Sequence, residues 1–310
     1  MSKRTIGSLE IHTFPLPPKD FNPLSASQEE LAHHGFPRRP DLVEMPDAAA
    51  KWASALRRYP RLEHITPEFT LMKDRPGPNV NIQPNVPIQK GTEGHVDSTS
   101  DVWSGSVLYV SKEDRFIWIG GAWTVPHAYQ SPSSPGTQYS SVWLGIDGVR
   151  ESRDVMQAGT ETDSDGTCYA WFEWFPANTI QINNFPVSPG DVVHLLLCAT
   201  KPTTASVFII NLTSMTYTSF SSSAPPGTFL VGNSAEAIVE RSTVGGVTSQ
   251  LPRYGEVFFD DVIAGTVNGL TYPIGLGTPV LMLADDLKTV ISTPIFEGDT
   301  DALKVSYTGP

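Results

Sequence analysis

The sequence is poor in cysteine. Cys168 and Cys198 are the only two cysteines among 310 residues, and they do not form a C-x-x-C pair. This excludes a disulfide framework and argues against a metal site built on cysteine. Both residues lie in apolar stretches, so we expect buried free thiols, with a single disulfide as the alternative.

Positive charge is also scarce. Lysine and arginine number 21 against 33 aspartates and glutamates, which gives a net charge of −12. A chain with this charge repels polyanions. We therefore expect no nucleic-acid partner and no membrane partner.

Long apolar runs are missing. No stretch approaches the roughly 18 uninterrupted apolar residues of a membrane helix. The residues that follow Met1-Ser-Lys-Arg4 fall short of the apolar core of a signal peptide. This pattern predicts a cytoplasmic location, with secretion without a leader as the alternative.

Common catalytic signatures are missing too. The sequence contains no G-x-S-x-G elbow, no H-E-x-x-H motif, no phosphate-binding loop, and no Asp-Thr-Gly or Asp-Ser-Gly. Its seven histidines are scattered along the chain. We therefore expect no metal and no cofactor.

What the sequence does contain favours an all-β body. It has 25 glycines and 27 prolines, and 39 % of its residues are hydrophobic, which is ample for a packed core. From about residue 97, short β-rich runs alternate with turn residues. Strands are predicted over 102–110, 116–125, 139–146, 154–160, 168–175, 192–199, 206–212, 235–241 and 255–263, with further strands around 280–283, 289–292 and 303–307. About a dozen closely spaced strands indicate either two packed antiparallel sheets or a barrel, and of these we predict the two-sheet sandwich over residues 97–310.

Residues 1–96 differ in texture and form a predicted N-terminal extension. Two short helices are expected, one over 27–34, where Ser27 and Glu30 have capping-box spacing, and one over about 46–59. Ala48, Ala49 and Trp52 lie on one face of the second helix. Residues 74–95 have neither helical nor strand periodicity and indicate an extended linker.

Several predicted strands each place an acid or amide among aromatic residues. Because residues i and i+2 share a strand face, Trp143 shares its face with Asp147. By the same rule Tyr169, Trp171 and Glu173 share one face. Taken singly, these polar residues are typical of an ordinary solvated sheet face. An exposed surface with so many aromatic rings is more typical of a binding cleft.

These motifs, taken in order, resemble the glutamic peptidase (eqolisin) family. Trp103-Ser-Gly105 resembles its opening strand, and Gly121-Ala-Trp-Thr-Val-Pro126 resembles the next. Trp143-Leu-Gly-Ile-Asp-Gly148 with Val155-Met-Gln-Ala-Gly159 resembles the W-x-G-I-D-G and x-x-Q-x-G pair. The aromatic strand that ends at Pro176 and the strand Ala235-Glu-Ala-Ile-Val-Glu240 complete the match. The resemblance spans roughly residues 103–307 and implies a concanavalin-like double antiparallel sandwich.

The resemblance also implies a chemistry. Members of the family hydrolyse peptide bonds with a Gln/Glu dyad and an activated water, so it implies an acid-type glutamic endopeptidase that acts as a monomer on polypeptides. Gln157 and Glu240 are the implied catalytic residues. The implied substrate-binding residues are Trp103, Trp143, Asp147, Tyr169, Trp171 and Glu173.

Two positions and one missing feature depart from the secreted fungal pattern. Tyr169 stands where an Asp is usual, and Phe175 stands where a Tyr is usual. Both changes remove polar groups near the expected cleft, and they bear on the pH optimum more than on the dyad. The signal peptide is missing, so residues 1–96 are open to two interpretations, a removable pro-segment or a structural collar.

Two functions outside the peptidase class stay open. A carbohydrate-binding module also uses a sandwich with an aromatic cleft, and a related scaffold can carry altered chemistry. A lectin would tolerate the loss of Gln157 and Glu240 together, whereas a peptidase would not.

Overall fold

The computed structural model describes residues 2–76, 98–132, 135–149, 152, 154–296 and 300–310. The N-terminal extension contains two helices, α1 (Gln28–His33) and α2 (Pro46–Leu56), and two 3-10 turns lie at Tyr59–Arg61 and Ile274–Leu276. The extension also forms the strands β1 (Ser2–Ile6), β2 (Leu9–Thr13), β3 (Glu63–His64) and β4 (Phe69–Pro76).

The rest of the chain is built from strands. They are β5 (Ser98–Ser100), β6 (Trp103–Tyr109), β7 (Phe116–Thr124), β8 (Tyr139–Asp147), β9 (Val155–Asp163), β10 (Cys168–Phe175), β11 (Asn178–Ile182), β12 (Val192–Lys201), β13 (Thr204–Asn211), β14 (Thr216–Ser223), β15 (Ser234–Arg241), β16 (Thr243–Val244), β17 (Val247–Thr248), β18 (Glu256–Thr266), β19 (Thr271–Pro273), β20 (Thr278–Leu283), β21 (Val290–Phe296) and β22 (Leu303–Tyr307). Nearly all of them pair antiparallel, so the predicted all-β class is confirmed.

The sheet is continuous. Hydrogen bonds join 20 strands of the described residues, and β16 and β17 form a separate hairpin. The main path runs β4-β11-β10-β9-β8-β15-β6-β20-β21-β22-β18-β7-β12-β13-β14-β2-β1. The prediction of two separate sheets was therefore too simple. One sheet curls nearly into a barrel, because β20, β21 and β22 connect its two halves.

The main core lies between these two halves. Leu144, Ala158 and Phe172 project from β8, β9 and β10, and Leu195 and Val207 project from β12 and β13 in the other half. All five belong to one buried apolar cluster. The alternate residues of β8, β9 and β10 therefore point to the opposite face of the first half, and that face carries the predicted polar residues.

The two predicted helices are confirmed. Ser27 and Glu30 form both hydrogen bonds of a capping box at the start of α1. Helix α2 buries Ala48, Ala49 and Trp52 on the predicted face, although it ends at Leu56 rather than near residue 59. Burying this face docks the extension on the second half of the sheet.

The extension is more strand-rich than predicted. Strands β2 and β3 pair with β14, and β4 pairs with β11. Residues 74–76 of the predicted linker belong to β4, and its remaining residues lie outside the described ranges. Strand pairing thus joins the extension to both ends of the sheet.

Cys168 and Cys198 are free thiols, as expected, although both are partly rather than fully buried. Within the ranges that the structure describes, no helix has the length and apolar character needed to cross a membrane.

Candidate active site

Five neighbouring strands, in the order β6-β15-β8-β9-β10, form the face that we call the acid-bearing face, which carries Glu240, Gln157 and Glu173. Glu240 pairs with Trp103 on one side and with Ser141 on the other. Gln157 pairs with Gly145 and with Glu173. The register therefore brings the predicted catalytic residues to one face of the sheet.

Glu240 is almost completely buried, with 3 % of its surface exposed. Its Oε2 atom accepts a 2.5 Å hydrogen bond from the indole Nε1 of Trp143. Among the described residues, no group donates to Oε1. Burial raises the pKa of Glu240 well above its ordinary value of 4.5, the nearby carboxylate of Glu173 raises it further, and the Trp143 donor opposes the rise.

Gln157 is held by Glu173. Its Nε2 atom donates to Glu173 Oε1 at 3.1 Å, and the hydroxyl of Thr179 on β11 donates to Glu173 Oε2 at 2.5 Å. Gln157 is 1 % exposed, and its Oε1 atom has no partner within the described ranges. Burial raises the pKa of Glu173 to about 7, against the effect of its two donors.

A close backbone approach explains the glycine of the x-x-Q-x-G motif. A Cβ atom on Gly159 would lie 2.6 Å from the Cβ of Trp143 and would also overlap the backbone oxygen of Val142. Only glycine lets β9 pass this point of β8 without displacing Trp143. The position of the Glu240 hydrogen-bond donor therefore depends on Gly159.

The aromatic residues of this face are buried. Trp103 meets Trp143 edge-on at a centroid distance of 4.9 Å, and both belong to a second apolar cluster with Tyr169, Trp171 and Ile238. The exposed aromatic surface expected from the sequence is therefore not seen. The Trp171 indole N–H and the Tyr169 hydroxyl have no partner among the described residues.

Asp147 lies at the end of β8 and takes part in a different contact. Its fully buried carboxylate accepts hydrogen bonds from the backbone N–H groups of Val231, Gly232 and Asn233, at distances of 2.6–3.0 Å. Burial raises the pKa of Asp147 to about 6, although these donors lower it. The side chain thus fixes the 231–233 loop, and its substrate-binding role stays a prediction.

Replacing Asp147 with Asn should destabilise the fold. The backbone at Asp147 has a φ of +74°, which Asn tolerates. The Asn side chain would, however, turn an N–H donor toward backbone donors. We expect Asp147→Asn to lower the free energy of unfolding by about 1–3 kcal/mol in urea titrations. An unchanged midpoint would contradict the loop-fixing role.

A buried ionic group that the sequence did not predict lies beside Glu240. Glu161, on β9, is 2 % exposed and forms an ion pair with Arg75 of β4. The hydroxyls of Ser141 and Ser242 donate to the same carboxylate. The predicted strand ended at residue 160, so Glu161 was not assigned to this face.

A further buried carboxylate, Glu236, shares this face and strand with Glu240. It pairs with Val107 and Gly145 and is fully buried. Burial raises its pKa well above 4.5. The sequence predicted no role for its side chain.

An aspartate cluster and a cavity lie outside the acid-bearing face. Asp260, Asp261 and Asp301 lie close enough together to ligate a metal, but Lys51 of α2 forms ion pairs with Asp261 and Asp301. The ion pairs of Lys51 fix α2 to the body of the protein.

A cavity of about 1260 Å³ lies between the 38–58 region and the outer face of β7, β12 and β18, away from the Gln157/Glu240 face.

Comparison with known proteins places these residues in a family. The model of the Peptidase A4 family matches residues 101–307. Scytalidopepsin B of Scytalidium lignicola is 32 % identical over 138 residues, which cover 44 % of this chain and 50 % of that protein. Aspergillopepsin-2 of Aspergillus niger is 26 % identical over 223 residues, or 65 % of this chain and 76 % of that protein. In the first match the chain spans half the length of its relative.

Solved structures agree on the fold. Scytalido-glutamic peptidase with a transition-state analogue inhibitor superposes with a TM-score of 0.57 at 23 % identity, over 67 % of this chain and 98 % of that one. Aspergilloglutamic peptidase from Aspergillus niger gives a TM-score of 0.50 at 26 % identity, over 55 % and 99 %. The family model covers more than half of the sequence, so the chain belongs to the Peptidase A4 family, the glutamic peptidases or eqolisins.

Proposed function

We propose that this protein is a glutamic endopeptidase in which Glu240 and Gln157 activate a water molecule against a peptide bond. One observation carries the proposal. Glu240 Oε1 and Gln157 Oε1 are buried on one face, and neither accepts a hydrogen bond from any residue that the structure describes. Glu240 Oε2 accepts from Trp143, and Gln157 Nε2 donates to Glu173. Buried acceptors of this kind require a donor from water or substrate. Family membership supports the same chemistry.

The proposed reaction needs no residue beyond this pair to move a proton. Ionised Glu240 takes one proton from water as the water oxygen bonds to the scissile carbonyl carbon, and Gln157 Oε1 accepts a hydrogen bond from the other hydrogen of that water. The second N–H of Gln157 Nε2 donates to the developing oxyanion while the first stays on Glu173. The C–N bond then breaks, and Glu240 returns its proton to the leaving amine.

A polypeptide substrate fits the unpaired donors of this face. The Trp171 indole N–H and the Tyr169 hydroxyl are suited to the carbonyl groups of an extended peptide. Trp103 and Trp143 are fully buried and pack beside Glu240 beneath the site, and Glu173 acts through Gln157. We propose these five residues as the substrate-binding set together with Asp147 as a support of the neighbouring loop.

The electrostatics of the site determine its pH dependence. A general base must be ionised, and burial raises the pKa of Glu240. Activity should therefore rise with pH on a limb that lies above 4.5, the ordinary value for a glutamate. The expected acid-type activity is therefore confined to weakly acidic pH and above.

Substituting Glu173 with Gln should move this limb to lower pH. Glu173, whose pKa is raised to about 7, is ionised mainly above that pH, and there its negative charge raises the pKa of Glu240. Removing this charge favours ionised Glu240 at lower pH. The amide oxygen of Gln can still accept from Gln157. We expect the ascending limb of kcat/KM to shift down by about one pH unit. A shift in the opposite direction would contradict this electrostatic account.

Cleavage of a denatured protein by the purified chain between pH 2 and pH 8 tests the proposal. Pepstatin in every reaction excludes contaminating aspartic peptidases. We expect new peptide termini that form without added metal. If no cleavage occurs at any pH while circular dichroism shows a folded chain, the peptidase proposal is wrong. Glycan-array binding that survives Gln157→Ala/Glu240→Gln would then favour a carbohydrate-binding module, and its absence a scaffold with altered chemistry.

A further inference from the structure

The N-terminal extension contributes a cation to the acid-bearing face. Arg75 lies on β4, which pairs with β11 at the edge of the first half of the sheet. The residue is only 8 % exposed. Its guanidinium forms an ion pair with Glu161 and lies 3.7 Å from Asp163 Oδ2. Among the ion pairs of the described residues, only these two contacts of Arg75 involve carboxylates of the acid-bearing face.

Aromatic rings complete the surroundings of Arg75. Its guanidinium lies 4.7 Å from the ring centroid of Tyr139 and 5.8 Å from that of Tyr169. Both distances are within the range of a favourable contact between a guanidinium and an aromatic ring. The backbone of β4 is fixed as well, since Gly245 donates to the Asp74 carbonyl at 2.7 Å.

The contacts of Glu161 connect Arg75 to Glu240. Ser141 is the cross-strand partner of Glu240, and Ser242 follows Glu240 by two residues. Both serine hydroxyls donate to Glu161. The carboxylate that Arg75 holds therefore anchors β8 and the end of β15 on either side of Glu240.

We propose that Arg75 is a positioning residue of the active site, supplied by the N-terminal extension, which holds Glu161 and thereby fixes the strands around Glu240. This inference rests on the proposed peptidase function for its kinetic consequence. Because the N-terminal extension carries Arg75, it supports the active site and acts as a structural collar rather than as a removable pro-segment.

Loss of Arg75 has an electrostatic consequence. Burial raises the pKa of Glu240, the charges of Glu173 and Glu161 raise it further, and the Trp143 donor lowers it. Arg75 itself faces Glu161, Asp163, Tyr139 and Tyr169. Without its positive charge, the charge of Glu161 acts on Glu240 unopposed.

The experiment compares Arg75→Gln, Arg75→Lys and Arg75→Gln/Glu161→Gln in the full chain. The indole N–H resonance of Trp143, the donor to Glu240, reports the titration of Glu240 without requiring activity. Glu240→Gln should abolish this titration and so identify it. The indole resonance of Trp174, which donates to Asp154 at 3.0 Å, serves as the internal control.

We expect Arg75→Gln to raise the Trp143 titration midpoint by about one pH unit and the ascending limb of kcat/KM with it. The melting temperature should fall by about 10 °C, because Glu161 becomes a buried unpaired charge. Arg75→Lys should keep the midpoint near that of the wild type. The double variant should restore the midpoint and most of the melting temperature, and it also serves if Arg75→Gln does not fold.

A lower melting temperature with unchanged midpoint and unchanged limb would show a merely structural role and overturn the proposal. A double variant whose midpoint stays as high as that of Arg75→Gln would overturn it too. Absence of cleavage by the wild type would count against the proposed function alone, because the Trp143 titration still decides the role of Arg75.

Discussion

Glu240→Gln should reduce kcat/KM by a factor of about 10²–10⁴, the range associated with loss of a general acid–base group. Gln has nearly the shape of Glu and can still accept from the Trp143 indole, so the contact seen at 2.5 Å has a replacement. It cannot take a proton from water. The measurement is steady-state cleavage of a quenched fluorescent peptide.

The same variant should be more stable than the wild type at neutral pH. Because the pKa of Glu240 is raised in the folded state, the folded chain keeps a proton that the unfolded chain releases above about 4.5. The free energy of unfolding of the wild type therefore falls as pH rises through this window. Glu240→Gln removes that loss, so its melting temperature should exceed that of the wild type at pH 7 and match it at pH 3.

Glu256→Gln is the matched control for this change. It makes the same chemical substitution on β18, where Glu256 is partly exposed and pairs with Lys304. Activity should be unchanged. Equal loss of activity in both variants would show that the effect of Glu240→Gln does not arise at the site.

Gln157→Ala should reduce kcat by a factor of about 10²–10³, the cost of losing one oxyanion donor, or about 3 kcal/mol. The loss should appear in kcat more than in KM, because the donor acts on charge that develops only in the transition state. Glu173 would keep its bond from Thr179. Steady-state and single-turnover measurements on the same peptide separate the effect on kcat from the effect on KM.

Gln250→Ala controls for removal of a glutamine side chain. Its amide donates to the exposed carboxylate of Asp285, outside the acid-bearing face. We expect normal kinetics from this variant. A Gln157→Ala enzyme with unchanged kcat and a raised KM would assign Gln157 to substrate binding instead of oxyanion stabilisation.

Strand alternation predicted most of this face. Tyr169, Trp171 and Glu173 share it as expected, because β10 was predicted with its observed limits. The register then brings Gln157 opposite Glu173. Period-2 alternation is a local property, so one sequence suffices to predict which residues share a face.

The contacts that cross from the extension could not be predicted. Arg75 lies in a stretch with prolines and without strand periodicity, yet β4 forms because β11 offers a free edge for pairing. Burial of the aromatic face is likewise a tertiary effect. The family resemblance predicts that Trp103 and Trp143 line a cleft, but not that other parts of the chain enclose them.

The most direct test of the catalytic dyad is a double-mutant cycle on kcat/KM with wild type, Glu240→Gln, Gln157→Ala and the double variant. Residues that act as one unit on one water give losses that are far from additive. The account predicts that Gln157→Ala costs a much smaller factor in the Glu240→Gln background than in the wild type, with only the oxyanion contribution left to lose. Fully additive losses, or wild-type activity in either single variant, would contradict it.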